Sequence, residues 1–183
     1  WENAAVPVHE QYQIFLPKDV TYVKNITAYY RQAIDKILAR RPEYRRASQG
    51  VSTYTFTPQP DKSFNRGFTD YYITGRRTDV PPFATPKSVG EPIGHVKEVG
   101  RGFITVSSAK ALHNGDGLCY IDERGLLQGF RVNRVEDTRL YPKDMPRTLR
   151  VRTPLFRNYD QEFERLLARP SAERRIPIDI SMH

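Results

Sequence analysis

The chain reads as α+β and mainly β. It predicts a small closed or partly open β-barrel, preceded by a long amphipathic helix and an extended proline-rich linker, with a short C-terminal helix. Three observations carry this. Residues 19–41 place Val23, Ile26, Tyr30, Ile34 and Ile37 at three- and four-residue steps, a helical period. Residues 78–92, "TDVPPFATPKSVGEP", hold four prolines, which favour an extended path over either regular structure. From Ile93 onward, short apolar runs alternate with Gly-bearing turns at close spacing, the pattern of a barrel or sandwich.

The helix is expected to start at an Asp19 N-cap and to stop before Pro42. Arg40 and Arg41 suit its C-terminal dipole. Its apolar stripe, widened by Tyr22, Tyr29, Ala33 and Leu38, reads as an ordinary buried face; a stacking platform at Tyr29–Tyr30–Arg31 is the rival reading. Val51, Tyr54 and Phe56 then mark an extended strand closed by Pro58 and Pro60.

The barrel strands follow in order. "IGHVKEVG" is a strand with Ile93, Val96 and Val99 as its apolar positions. "FITVSSA" puts Ile104 and Val106 on one face and Phe103, Thr105 and Ser107 on the other. "LCYID", "LLQGFRVNRVE", a brief "RLYP" and "TLRVRTPLFRN" complete the set. Asn158 with Gln161 three residues on forms a capping-box pattern for the last helix, and "RRIPIDISMH" ends the chain as a strand-like tail. This divides the chain into residues 1–78 (helix and extended arm), 79–92 (linker), 93–157 (barrel) and 158–183 (helix and tail leading to a following unit).

Composition narrows the function classes. The 183 residues include 38% hydrophobic, enough for a real core, and a net charge of +8, which favours polyanionic partners. No apolar run approaches the roughly 20 residues that cross a bilayer, and Trp1–Gln13 lacks the layout of a signal peptide. Trp1 stands where an initiator Met would be, so the chain reads as a piece of a longer one. A single cysteine, Cys119, fits a reducing cytoplasm and cannot by itself hold a disulfide, a zinc site or an iron–sulfur cluster.

No self-contained active site is legible. His9, His95, His113 and His183 are scattered without metal-ligand spacing. Cys119 falls inside a strand, without a base beside it in sequence. Asp116, in "HNGDG", is best read as a structural turn residue. No small-molecule substrate and no membrane partner suggests itself.

Basic residues crowd the barrel: Arg131, Arg134, Arg139, Lys143, Arg147, Arg150, Arg152 and Arg157. In "RTLRVR", Arg150 and Arg152 would share a strand face and could meet phosphates; a solvated outer face is the bland alternative. The candidate RNA contacts are Arg76, Arg77, Arg131, Arg134, Arg147, Arg150 and Arg152. In "KSFNRGFTDYYITGRR", Phe64 and Phe68 read as wedges, Gly67 and Gly75 as bends and Arg66 as a hydrogen-bonded strut, all structural, with Arg76 and Arg77 left free for an anion.

Several stretches resemble peptidase family U32, the collagenase-like proteases. Tyr22, Val23, Ile26, Tyr30, Arg31, Ala33 and Asp35 match the motif that closes the family's catalytic domain. "FNRGFT" with the downstream Gly75–Arg76 is the most specific part of the region after it. Residues 87–136 resemble the β-barrel that follows in large bacterial members, and "PLFRNYDQEFERLL" the junction to the next unit. The resemblance implies a non-catalytic accessory region. In the family the chemistry sits in an upstream barrel domain with clustered cysteines for an iron–sulfur cluster, absent here. It implies a parent acting in ribosomal RNA or tRNA hydroxylation; other members carry an older label of protease. Residues before the helix depart from the family's usual lead-in, so no catalytic residue carries over. The barrel pattern is also similar, at fold level, to the second domain of translation elongation factors.

Overall fold

A strand in which every second residue is apolar can bury one face and wet the other, as residues 104–108 and 154–159 do. The computed structural model describes residues 17–47, 49–65, 73, 75, 85 and 87–182. Its elements run α1 (Pro17–Leu38), β1 (Val51–Tyr54), a 3₁₀ turn (Pro60–Lys62), β2 (Glu91–Val99), β3 (Ile104–Ser108), β4 (Gly117–Ile121), β5 (Leu127–Glu136), β6 (Arg139–Pro142), β7 (Pro154–Tyr159), α2 (Gln161–Ala168) and β8 (Ala172–Arg175). They fall into two compact units, residues 1–60 with 165–183, and residues 61–164. The first unit is therefore discontinuous in sequence, and the second takes in residues on both sides of the barrel strands.

The second unit holds a closed antiparallel barrel in the order β2-β3-β6-β5-β4-β7. Its core is Ile93, Val96, Ile104, Val106, Leu118, Tyr120, Phe130, Val132, Leu140, Leu149 and Leu155. Strand β3 buries Ile104 and Val106 and leaves Thr105 partly open, as its alternation predicts. Ile93 and Val96 are three apart yet both buried, which a regular strand forbids. The register of β2 against β7 shifts between Pro92 and Gly94, and this bulge resets the phase. Gly94 sits there at φ 140° with the Ser107 carbonyl so near that a Cβ would lie 1.8 Å from it. Val99, beyond the last inward position, is partly exposed.

Two expectations about the barrel are corrected. Residues 148–153 are loop and turn, and β7 begins only at Pro154. Arg152 adopts φ 70°, which turns the chain, while its N–H donates to the Val96 carbonyl at 2.8 Å. Arg150 and Arg152 thus share no strand face. The second correction concerns α2: its cap is Asp160, whose Oδ1 accepts the Phe163 N–H at 2.9 Å, while Asn158 lies inside β7.

In the first unit, β1 pairs with β8, Val51 opposite Arg175 through Tyr54 opposite Ala172. Helix α1 starts at Pro17, so Asp19 lies in its first turn. The predicted apolar stripe is not buried: Val23 is 53% exposed, Tyr30 62% and Ile37 56%, with Ile34 also exposed. The covered side instead holds Thr21, Asn25 and Ala28. Asn25 explains the inversion. Its amide exchanges hydrogen bonds with the Gln59 backbone, donating to the carbonyl at 2.7 Å and accepting the N–H at 2.8 Å, so a polar position is what faces the chain here. Asp35 pairs with Arg31 and with Arg46, the latter at 2.7 Å; first the Arg31 hydrogen bond, then Arg46, hold its carboxyl below the ordinary value despite some burial.

Candidate nucleic-acid interface

The β5–β6 ribbon puts its basic residues on the outside because its inner positions, Phe130, Val132 and Leu140, are core. Pairing sets Arg134 opposite Tyr141 and Glu136 opposite Arg139, and the Lys143 N–H donates to the Arg131 carbonyl at 2.9 Å. A register shift between Val132 and Arg134 keeps Arg131 and Arg134 both exposed. Three guanidiniums lie over rings: Arg134 at 4.2 Å from the Tyr141 centroid, Arg139 at 5.1 Å from Phe103, and Arg131 at 5.2 Å from Tyr159. The Phe103 and Tyr141 rings are themselves 6.3 Å apart.

These arginines are neutralised unequally. Arg134 meets Glu136 at 3.1 Å, and the Tyr141 hydroxyl donates to the same carboxylate at 2.8 Å. Arg131 donates to the neutral Gln161 amide at 2.8 Å. Among the described residues no carboxylate pairs with Arg131 or Arg139. Rings and an amide therefore orient two full positive charges without cancelling them.

Behind this ribbon the barrel is held by a buried ion cluster. In sequence Arg157 belongs to the basic stripe, yet in the fold it is 3% exposed. Its Nε donates to Glu91 at 2.7 Å, and its Nη1 donates to Asp116 and to the Ala111 carbonyl at 3.0 Å each. Nη2 reaches Asp160 at 3.0 Å, and Lys62 and Lys110 add a second cation to Asp160 and Glu91. Three cations thus face three carboxylates, each of those acidic residues at most 3% exposed. Burial pushes the Asp160 carboxyl up, but Lys62, the Phe163 N–H and Arg157 outweigh it and hold it below the ordinary value. Burial likewise opposes the charge on Arg157, and its three carboxylates raise its pKa regardless. The signal in the sequence is the strand period: Arg157 is two residues from the core residue Leu155, so it points inward and must find partners.

Asp116 is placed at the centre of this cluster. It accepts the His113 N–H at 3.0 Å and the first amide of α2, from Gln161, at 3.0 Å, besides Arg157. His113, Asp116 and Asp160 offer donor atoms within 4.8 Å of one another. A metal ion does not fit, because Arg157 occupies both carboxylates. An iron–sulfur cluster does not fit this donor set either. The sole thiol, Cys119, is buried, donates to the Val89 carbonyl at 3.3 Å, and is pushed up to about 11 by burial.

The other candidate contacts disperse. Arg147, Arg150 and Arg152 lie on the loop before β7, where Arg150 turns back toward the Arg147 and Leu149 carbonyls at 3.4 Å and lies 3.9 Å from Glu123. Arg66, Gly67, Phe68, Arg76 and Arg77 lie outside the described residues. Phe64 is exposed, and Gly75 adopts φ 127° with no neighbour near its missing Cβ among the described residues. Asn65 ties the start of that stretch down: its Nδ2 donates to the Asp61 carbonyl at 2.9 Å and to the Ser63 carbonyl at 3.0 Å.

Residues 16–80 match the sequence profile of peptidase family U32. That part of the chain is therefore similar to family U32. The chain is also 41% identical over 173 residues to the 23S rRNA 5-hydroxycytidine C2501 synthase of Escherichia coli (strain K12), a match covering 90% of the chain. It spans about a quarter of that relative's length (26%). No solved structure matches the chain significantly. Arg31 and Asp35, within the matched stretch, are the helical ion pair described above. Among the described residues, no helix is long and apolar enough to cross a membrane.

Proposed function

We propose that this chain is a non-catalytic accessory region of a larger U32-family RNA-hydroxylating protein, acting in the cytoplasm, where it helps to position a ribosomal RNA or tRNA substrate. The similarity to an rRNA-modifying enzyme along nine-tenths of the chain carries this reading. The net charge of +8 agrees with a polyanionic partner. A buried thiol with a raised pKa argues against Cys119 as a nucleophile, and iron–sulfur chemistry would belong to the part of the parent outside this chain. The test is a mobility shift of the chain with structured rRNA fragments across a salt series. Binding that weakens steeply with salt is expected; no binding even at low salt would sink the RNA role.

The exposed stripe of α1 favours a second role, docking onto the catalytic domain of the parent. Val23, Tyr30, Ile34 and Ile37 form an exposed apolar face. The chain and the separately expressed remainder of the parent should then co-purify, and Ile34→Ser with Ile37→Ser should weaken that association. Failure of the wild-type pair to associate would remove this second role.

A further inference from the structure

We infer that the outer face of the β5–β6 ribbon is a binding surface for an unpaired RNA strand, with phosphates on Arg131, Arg139 and Lys143 and a base stacked on the Arg134–Tyr141 pair. This rests on the reading that the chain holds RNA, and it names where and in what form.

Arg131 and Arg139 are held by Tyr159, Gln161 and Phe103, none of which carries charge. They are oriented but not neutralised, which is what a phosphate contact requires. Lys143, just past the end of the neighbouring strand, donates its N–H to the Arg131 carbonyl and extends the positive edge. Other arginines are committed to carboxylates: Arg31 and Arg46 to Asp35, Arg41 to Glu43, Arg157 to three at once. Arg101, Arg147 and Arg152 also lack a carboxylate partner among the described residues, so what distinguishes Arg131 and Arg139 is that rings and an amide hold them in place as well.

Arg134 has a different role. Glu136 pairs with it at 3.1 Å, and the carboxylate and ring together hold the guanidinium over Tyr141, 4.2 Å from the ring centroid. One side of the guanidinium covers the ring, and the exposed side chain leaves the other side as a planar surface. Such planes take unstacked bases, by stacking and cation–π attraction. A duplex keeps its bases inside and offers this plane nothing. Glu136, 3.1 Å from Arg134, would repel a backbone phosphate crossing directly over Arg134, so the base, and not the phosphate, belongs there.

The experiment measures this chain binding a fluorescent unstructured pyrimidine-rich RNA oligonucleotide and a blunt RNA duplex of the same sequence, across salt. Wild type should prefer the single strand. Arg131→Ala with Arg139→Ala should reduce the log–log salt slope by roughly 0.7 for each phosphate that is no longer neutralised. Tyr141→Leu should weaken single-strand binding by roughly 5- to 100-fold with the slope unchanged. Arg101→Ala, at an exposed arginine off the ribbon, is the control and should bind as wild type; unchanged thermal midpoints show that the variants fold. If wild type binds RNA but the ribbon variants bind equally well, or if the duplex is preferred, this surface assignment is overturned while the RNA role stands. If wild type binds neither RNA, both fall together.

Discussion

Arg157 and Glu91, 66 residues apart in sequence, meet through two guanidinium nitrogens on one carboxylate oxygen, Nε at 2.7 Å, with both residues 3% exposed. The pair joins β7 to β2, the seam that closes the barrel. Asp116 and Asp160 complete the guanidinium's shell, so the same side chain also holds the turn before β4 and the cap of α2.

Arg157→Met should therefore destabilise the barrel by about 3–5 kcal/mol, because it leaves three buried carboxylates short of a cation. Arg157→Lys should recover less than half, since an ammonium cannot serve three directions as the planar fork does. Urea unfolding followed by tyrosine fluorescence measures both. A loss under about 1 kcal/mol in the Met variant would show the cluster to be dispensable.

Acid should loosen the same region. Asp160 is held below its ordinary value of 3.8, so the folded state binds its proton less readily than the unfolded chain. Its contribution is complete well above the unfolded value, and is lost as pH falls through about 4 and on through the folded pKa. Asp160→Asn should flatten that part of the stability–pH curve. An unchanged acid limb would reject the assignment to Asp160.

Gly94→Ala should cost more than about 2 kcal/mol. A Cβ there would lie 1.8 Å from the Ser107 carbonyl oxygen, at a φ of 140° that L-residues avoid, and no flexible side chain can yield. Gly102→Ala makes the comparison: it has positive φ too, but no heavy atom near the added methyl, so its cost should be strain alone. Equal losses would mean the close approach contributes nothing.

Cys119 should resist alkylation in the native state at neutral pH. Burial pushes its thiol up to about 11 and walls it behind the Val89 carbonyl. Iodoacetamide labelling, read by mass, should accelerate sharply in denaturant. Rapid native labelling would restore Cys119 as a reactive group.

Ile34→Ser and Ile37→Ser should each change the chain's own stability by less than about 0.5 kcal/mol, since both side chains are already exposed. Thermal unfolding decides this. A loss of several kcal/mol would mean that the stripe is covered after all.

The barrel was legible wherever local pattern and burial agree. Ile104 and Val106 alternate with wetter neighbours, and the turns around Gly115 and Gly125 sit where φ is positive. Reading failed where the same pattern has two outcomes. "RTLRVR" alternates like a strand, and nothing local announces that Arg152 will turn at φ 70°. The α1 stripe is periodic whether or not a partner covers it; periodicity reports a face, not its contents. Arg157 looks like its exposed neighbours because composition carries no direction, although its two-residue step from Leu155 does.

The ribbon divides along the same line. The sequence alone determined most of the barrel strands, their turns, the excess of positive charge and the resemblance around Arg31 and Asp35, because these depend on neighbours within a few residues. The tertiary structure decided which arginines keep their charge. Glu91, Asp116 and Asp160 come to Arg157 from three separate places in the chain. Phe103, Tyr159 and Gln161 come to Arg139 and Arg131 without any charge at all. A charge is neutralised by what lies within a few ångströms in space, and for these residues that distance is set by barrel closure and strand register.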